Sequence, residues 1–98
     1  MSISNINHEE HILVCLSSAP SNSRIIRTAA RMSRAFNSRF TALFVETPDF
    51  SVASAENKLR LTDNRHLAES LGASIVTIQG DDVPYQIAEF ARISGVTK

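Results

Sequence analysis

No charge of one sign dominates these 98 residues, in which ten Lys and Arg balance ten Asp and Glu. A neutral chain has no global field to draw it to nucleic acid or an anionic membrane, so any ligand preference must come from local charge. Nor does any apolar run approach the roughly 20 residues that a spanning helix needs. The opening Met1-Ser-Ile-Ser-Asn5 lacks the basic and apolar regions of a secretion signal. These absences set the expectation of a cytosolic segment with no direct membrane contact. Cysteine is nearly missing too. Cys15, the one copy, cannot form an internal disulfide and lacks the neighbours of a metal site, so a buried, inert thiol is expected within Ile12-Leu-Val-Cys-Leu16. Glycine-rich phosphate loops, nucleophile elbows and paired cysteines are absent, and nothing in the pattern argues for an enzyme.

What is present is an apolar fraction of 43%, enough for one small core. Ile12 to Leu16 reads as a strand buried on both faces, ended by Ser17-Ser-Ala-Pro-Ser21. Ser21, Asn22 and Ser23 are candidate N-caps for a helix over Arg24 to about Asn37, with Ile25, Ile26, Ala29, Met32 and Phe36 turned inward. Phe40 to Glu46 is a second strand, stopped by Thr47-Pro48, and Asp49 to Ala53 a linker. Ser54 can cap a polar helix whose Leu59, Leu67 and Leu71 point inward and whose left-handed stop is Gly72. Ser74 to Ile78 is a third strand. Gly80-Asp-Asp82 supplies a turn and cap, Pro84 fits a first helical turn, Val83, Ile87 and Ala91 form a buried stripe, and Gly95 closes the helix. Alternating strands and helices with right-handed crossovers make a parallel sheet covered on both faces.

In such sheets ligands bind beyond the carboxyl ends of the strands, which here carry Ser17 to Ser23, Glu46 to Asp49 and Gln79 to Asp82. Ser17, Ser18, Ser21, Asn22 and Ser23 lead into a helix N-terminus whose free donors favour an anion, with Arg24 adjacent; the same residues also suit plain turning and capping. Arg24, Arg27, Arg31 and Arg34 recur at three- and four-residue steps as a ridge that could dock an acidic partner or simply face water. His8-Glu-Glu-His11 lacks helical zinc-site spacing, so no metal site is expected, and His66 reads as a surface residue. Asp81 and Asp82 suit a helix cap better than an acid–base pair.

The run Ile12-Leu-Val-Cys-Leu-Ser-Ser-Ala-Pro-Ser-Asn-Ser-Arg-Ile-Ile-Arg-Thr-Ala-Ala-Arg-Met32 closely resembles the first strand and helix of the universal-stress-protein-like domain of KdpD-type sensor histidine kinases. Phe40-Thr-Ala-Leu-Phe-Val-Glu-Thr-Pro48, His66-Leu-Ala-Glu-Ser-Leu-Gly-Ala73 and Gly80-Asp-Asp-Val83 through Lys98 continue the likeness. It implies an α/β domain over 12–98, with a universal-stress-protein or flavodoxin-like parallel sheet and helices on both faces, truncated after the third helix. Residues 1–11 would be a disordered or tag-like leader. The implied role is the cytoplasmic regulatory domain of an inner-membrane, ATP-dependent kinase that controls potassium uptake. This part would bind a regulator and catalyse nothing; the alternative is a free-standing adenine-nucleotide-binding stress protein.

Members of the wider family that bind ATP use a glycine-rich stretch after a fourth strand, which this chain does not reach. Some KdpD domains resemble cyclic di-AMP receptors through Ser-x-Ser and, later, Phe-Thr-Ala-x-Tyr. The matching positions are Ser17-Ser18-Ala19 and Phe40-Thr41-Ala42-Leu43-Phe44, so Ala19 and Phe44 each lack an expected hydroxyl. No cofactor is assigned; cyclic di-AMP or an adenine nucleotide would belong to the intact domain. The implied partners are other kinase domains, a universal stress protein and, for the chain as it stands, a second copy paired along the strand-one edge.

Overall fold

The computed structural model describes residues 10–97. Most of the expected 1–11 leader, His8 included, lies outside the described residues. The elements run β1 (His11–Cys15), α1 (Asn22–Phe36), β2 (Arg39–Glu46), a short 3-10 turn (Pro48–Val52), α2 (Ala55–Ser70), β3 (Ser74–Gln79) and α3 (Val83–Ser94). Local chemistry explains most boundaries. The Ser54 hydroxyl accepts from Asn57 N–H at 3.1 Å to start α2, and the Asp82 carboxylate accepts from Tyr85 N–H at 3.1 Å to start α3. Gly95, at φ 71°, ends α3 in the left-handed region that a Cβ disfavours. Asn37 ends α1 in the same region, which asparagine tolerates.

The strands are all parallel in the order β1-β2-β3, with Ile12 opposite Phe40 and Thr41 opposite Ser74. One face carries Ile12, Val14 and Leu16 of β1 with Phe40 and Ala42 of β2. They bury against Ile26, Ala29 and Ala30 of α1 and Leu61 and Ala68 of α2. Leu43 and Val45 point the other way by strand alternation, are also buried, and are covered by α3. Ile12, Ile26 and Leu43 are fully enclosed, each contributing about 1.5–3 kcal/mol of burial.

Several inward assignments differ. Leu59 is 63% exposed, because at 100° per residue it sits opposite Leu61, Asn64 and Ala68, which face the core instead. Ile25 and Phe36 flank the buried stripe of α1 and remain about half exposed. The second face of strand one is covered at its start, by the contacts of His11, and opens toward its end: Leu13 is half-buried and Cys15 is exposed, a correction to the buried thiol. It also starts one residue early, at His11, whose N–H and C=O both bond to Thr97.

β1 is an outer strand. Arg39 N–H donates to Glu10 C=O and Leu16 N–H to Leu43 C=O, so even-numbered residues turn their backbone to β2 and His11, Leu13 and Cys15 turn theirs outward. That edge is stopped at both ends. Thr97 N–H donates to His11 C=O at 2.9 Å, and His11 N–H donates to Thr97 Oγ1 at 2.9 Å. At the other end Asn22 Nδ2 donates to Cys15 C=O at 3.0 Å, and its Oδ1 accepts from Ser17 N–H at 3.2 Å. Among the described residues, nothing between these two ends meets the backbone of Leu13 or the N–H of Cys15.

Candidate functional site at the carboxyl ends of the strands

Where β1 and β2 end, Leu16 and Phe44 form the floor of a hollow of about 220 Å³. Phe50 of the 3-10 turn and Leu61 of α2 wall it, and Glu46, Thr62, Arg65 and Thr77 stand at its rim. Phe44 and Phe50 meet edge-on with ring centroids 5.2 Å apart, and Lys58 Nζ lies 5.8 Å from the Phe50 centroid. Across Glu46 a second hollow of about 250 Å³ is lined by Thr47, Pro48, Gln79 and Gly80. The apolar floor with aromatic walls and a mixed polar rim suits a flat ring bearing a charged or hydroxylated substituent.

The loop after β1 borders this cup and is fixed by polar side chains. Asn64 Nδ2 donates to Ser17 C=O at 2.8 Å and Arg60 Nη1 to Ser18 C=O at 3.1 Å, while the Ser17 hydroxyl accepts from Ala19 N–H at 3.2 Å. Arg60 also reaches Glu56 at 3.4 Å. Asn22 and Asn64 are 3% and 6% exposed, so each buried amide is matched by partners as burial requires.

Ser17, Ser18, Ser21, Ser23 and Arg24 thus gather around the start of α1. Ser21 stands at the cap position but makes no side-chain cap bond, and the first turn holds no acidic residue. Phe40, Thr41 and Ala42 do not join them. The register sets these three level with Ile12, Leu13 and Val14, about 10–16 Å down the sheet from Ser17, and all three are buried. Sequence likeness had grouped residues that the parallel register separates. Phe44 does line the cup.

The Thr41 hydroxyl is instead bonded to the His11 Nε2 at 2.8 Å, and His11 is 4% exposed. Its Nδ1 lies 2.9 Å from Ser94 C=O. A carbonyl only accepts, so Nδ1 carries a proton and donates to it, while the Thr41 hydroxyl, donor and acceptor alike, completes the bond at Nε2. Arg39 Nη2 donates to the same Ser94 carbonyl at 3.4 Å. This histidine fastens the end of α3 to β1 and β2.

Other candidates find ordinary places. His66 is exposed, Asp82 is a cap, and no group of His, Cys, Asp or Glu suited to a metal occurs among the described residues. Arg24, Arg27, Arg31 and Arg34 are all exposed on α1. Cys15 lines a groove with Leu13, Ile25 and Met32, where desolvation pushes its thiol above the usual range. Glu89 is held below the usual carboxylate range by its hydrogen bond and charge contact with Arg92, 2.8 Å away. Arg65, Thr62 and Phe50 were unread in the sequence, since only the packing of α2 and the 3-10 turn brings them to the cup.

The chain is similar in sequence to KdpD sensor proteins and in fold to a universal stress protein. It is 42% identical over 89 residues to the sensor protein KdpD of Clostridium acetobutylicum, covering 91% of this chain and 10% of that protein. It is 29% identical over 91% of its length to the sensor protein KdpD of Mycobacterium tuberculosis strain H37Rv, and covers 10% of that protein. Against the putative sensor protein KdpD of a Synechocystis strain it is 28% identical over 91% of its length, covering 24% of the relative. The chain therefore spans a small part of these relatives. In three dimensions it matches a universal stress protein solved in complex with cAMP, with a TM-score of 0.60 at 16% identity, over 89% of this chain and 71% of the other. No family model matches.

Proposed function

We propose, from the premise that this chain is a universal-stress-protein-like domain of the kind carried by KdpD sensor proteins, that it is a regulatory domain, without catalysis of its own, of a membrane-bound sensor kinase controlling potassium uptake. The regulator it takes is a small adenine nucleotide. The observation that carries this reading is the cup, with Leu16, Phe44, Phe50 and Leu61 for an apolar ring and Arg65 at the rim for a phosphate. It lies at the carboxyl ends of parallel strands, where such sheets take ligands. The cAMP complex of the related fold belongs to that other protein and fixes only the architecture.

Cyclic di-AMP is the poorer fit. Ala19 and Phe44 offer no hydroxyl where that ligand's receptors of this type present one, and each missing hydrogen bond costs on the order of 1 kcal/mol. Calorimetry with cAMP, ATP and cyclic di-AMP tests both statements. One of the mononucleotides should release binding heat that Arg65→Ala weakens about tenfold, the loss of one charge-assisted bond. Silence from both mononucleotides, or submicromolar binding of cyclic di-AMP, would overturn the reading.

A further inference from the structure

The 15 residues of α1 include four arginines and no acidic residue, although the chain as a whole is charge-balanced. Arg24, Arg27, Arg31 and Arg34 occupy one stripe along about 15 Å of helix, all exposed. Among the described residues none of the four meets a carboxylate, and the side-chain bond made from the stripe is that of Arg31 to the Thr28 hydroxyl at 3.3 Å. Elsewhere Arg60 is paired with Glu56 and Arg92 with Glu89.

Most of the stripe works against the stability of its own helix, Arg34 in the last turn being the member that complements the dipole. Like charges three and four residues apart repel, and Arg24 in the first turn faces the positive end of the helix dipole. A face that only needs water is served as well by mixed signs. We infer that this ridge is the docking surface for an acidic protein segment, one that presents carboxylates at helical spacing. Every cation in it is an arginine, whose planar fork takes a carboxylate bidentately. Ile25, 53% exposed, lines a shallow groove with Arg24, Thr28 and Met32 beside the first turn of the ridge, apolar surface that a protein segment covers and a polyphosphate does not.

The test titrates the isotopically labelled chain with a synthetic Glu-rich helical peptide, with phosphatidylserine-containing vesicles and with a short single-stranded oligonucleotide. Peptide-induced shifts should centre on Arg24 to Arg34, weaken with salt, and lose about tenfold in affinity in the double variant Arg27→Glu, Arg31→Glu. That variant should melt at the same or a higher temperature, since a repulsion has been relieved, which separates lost docking from lost folding. Peptide affinity unchanged by the reversal, absence of peptide binding, or equal or tighter binding to the vesicles or the oligonucleotide would each overturn the inference.

Discussion

Asn22 was a cap candidate in the sequence and is instead a buried bridge, tied through its amide to Cys15 C=O and Ser17 N–H. Replacing it by Ala removes the bridge and leaves both backbone groups seeking water next to the core. The expected loss is about 1–3 kcal/mol in chemical denaturation, and an unchanged midpoint would show that water takes over both bonds. Cys15 makes a second prediction. Folding raises its thiol pKa, so its neutral form is favoured and no stability is lost below the ordinary thiol range. Stability falls as pH climbs through that range to the raised value. Cys15→Ala should therefore match the parent at neutral pH and exceed it at alkaline pH in denaturation midpoints. The exposed thiol should also react with iodoacetamide more slowly than cysteine in a short peptide.

Elements differ in how firmly they are held. α3 has no fully buried residue and leaves Ile93 72% exposed, whereas α1 and α2 contribute to the enclosed core. Hydrogen exchange should accordingly proceed first in α3, and equal protection in all three helices would contradict this reading of the packing. The edge of β1 offers the complementary case. With His11 and Cys15 C=O occupied, a second copy can exchange backbone bonds only around Leu13, so we propose weak self-association through that short window. Thr97→Pro removes the donor to His11 C=O and lengthens the open edge. Light scattering across a concentration series should then show dimer at lower concentration than in the parent. Identical profiles would place any contact elsewhere.

At the scale of the molecule, the alternation of strands and helices was legible because its punctuation is local: Ser54, Gly72, Asp82, Pro84 and Gly95 each act within a few residues of themselves. The inward faces were less so. Leu59 and Leu61 are equally apolar, and only the angle at which α2 meets the sheet decides between them. The long-range polar bonds had no local signal, since His11 meets Ser94 and Thr97 from the far end of the chain. Of the candidate site, the Ser17 to Arg24 loop could be placed from the sequence. Phe40 to Ala42 could not be separated from it until the parallel register was known, and Arg65 had no motif to announce it.

The amide of Asn22 has one more effect. It stands where a neighbouring strand would otherwise place a peptide group, so it acts as a ruler on the open side of the sheet. A strand that joins β1 from outside can form a ladder up to the Cys15 N–H and no further, because the next acceptor and donor are already taken. The ladder along that edge thus ends level with Cys15, one residue short of the Leu16 floor of the cup, so a single side chain sets how far pairing on the open side can advance toward the site.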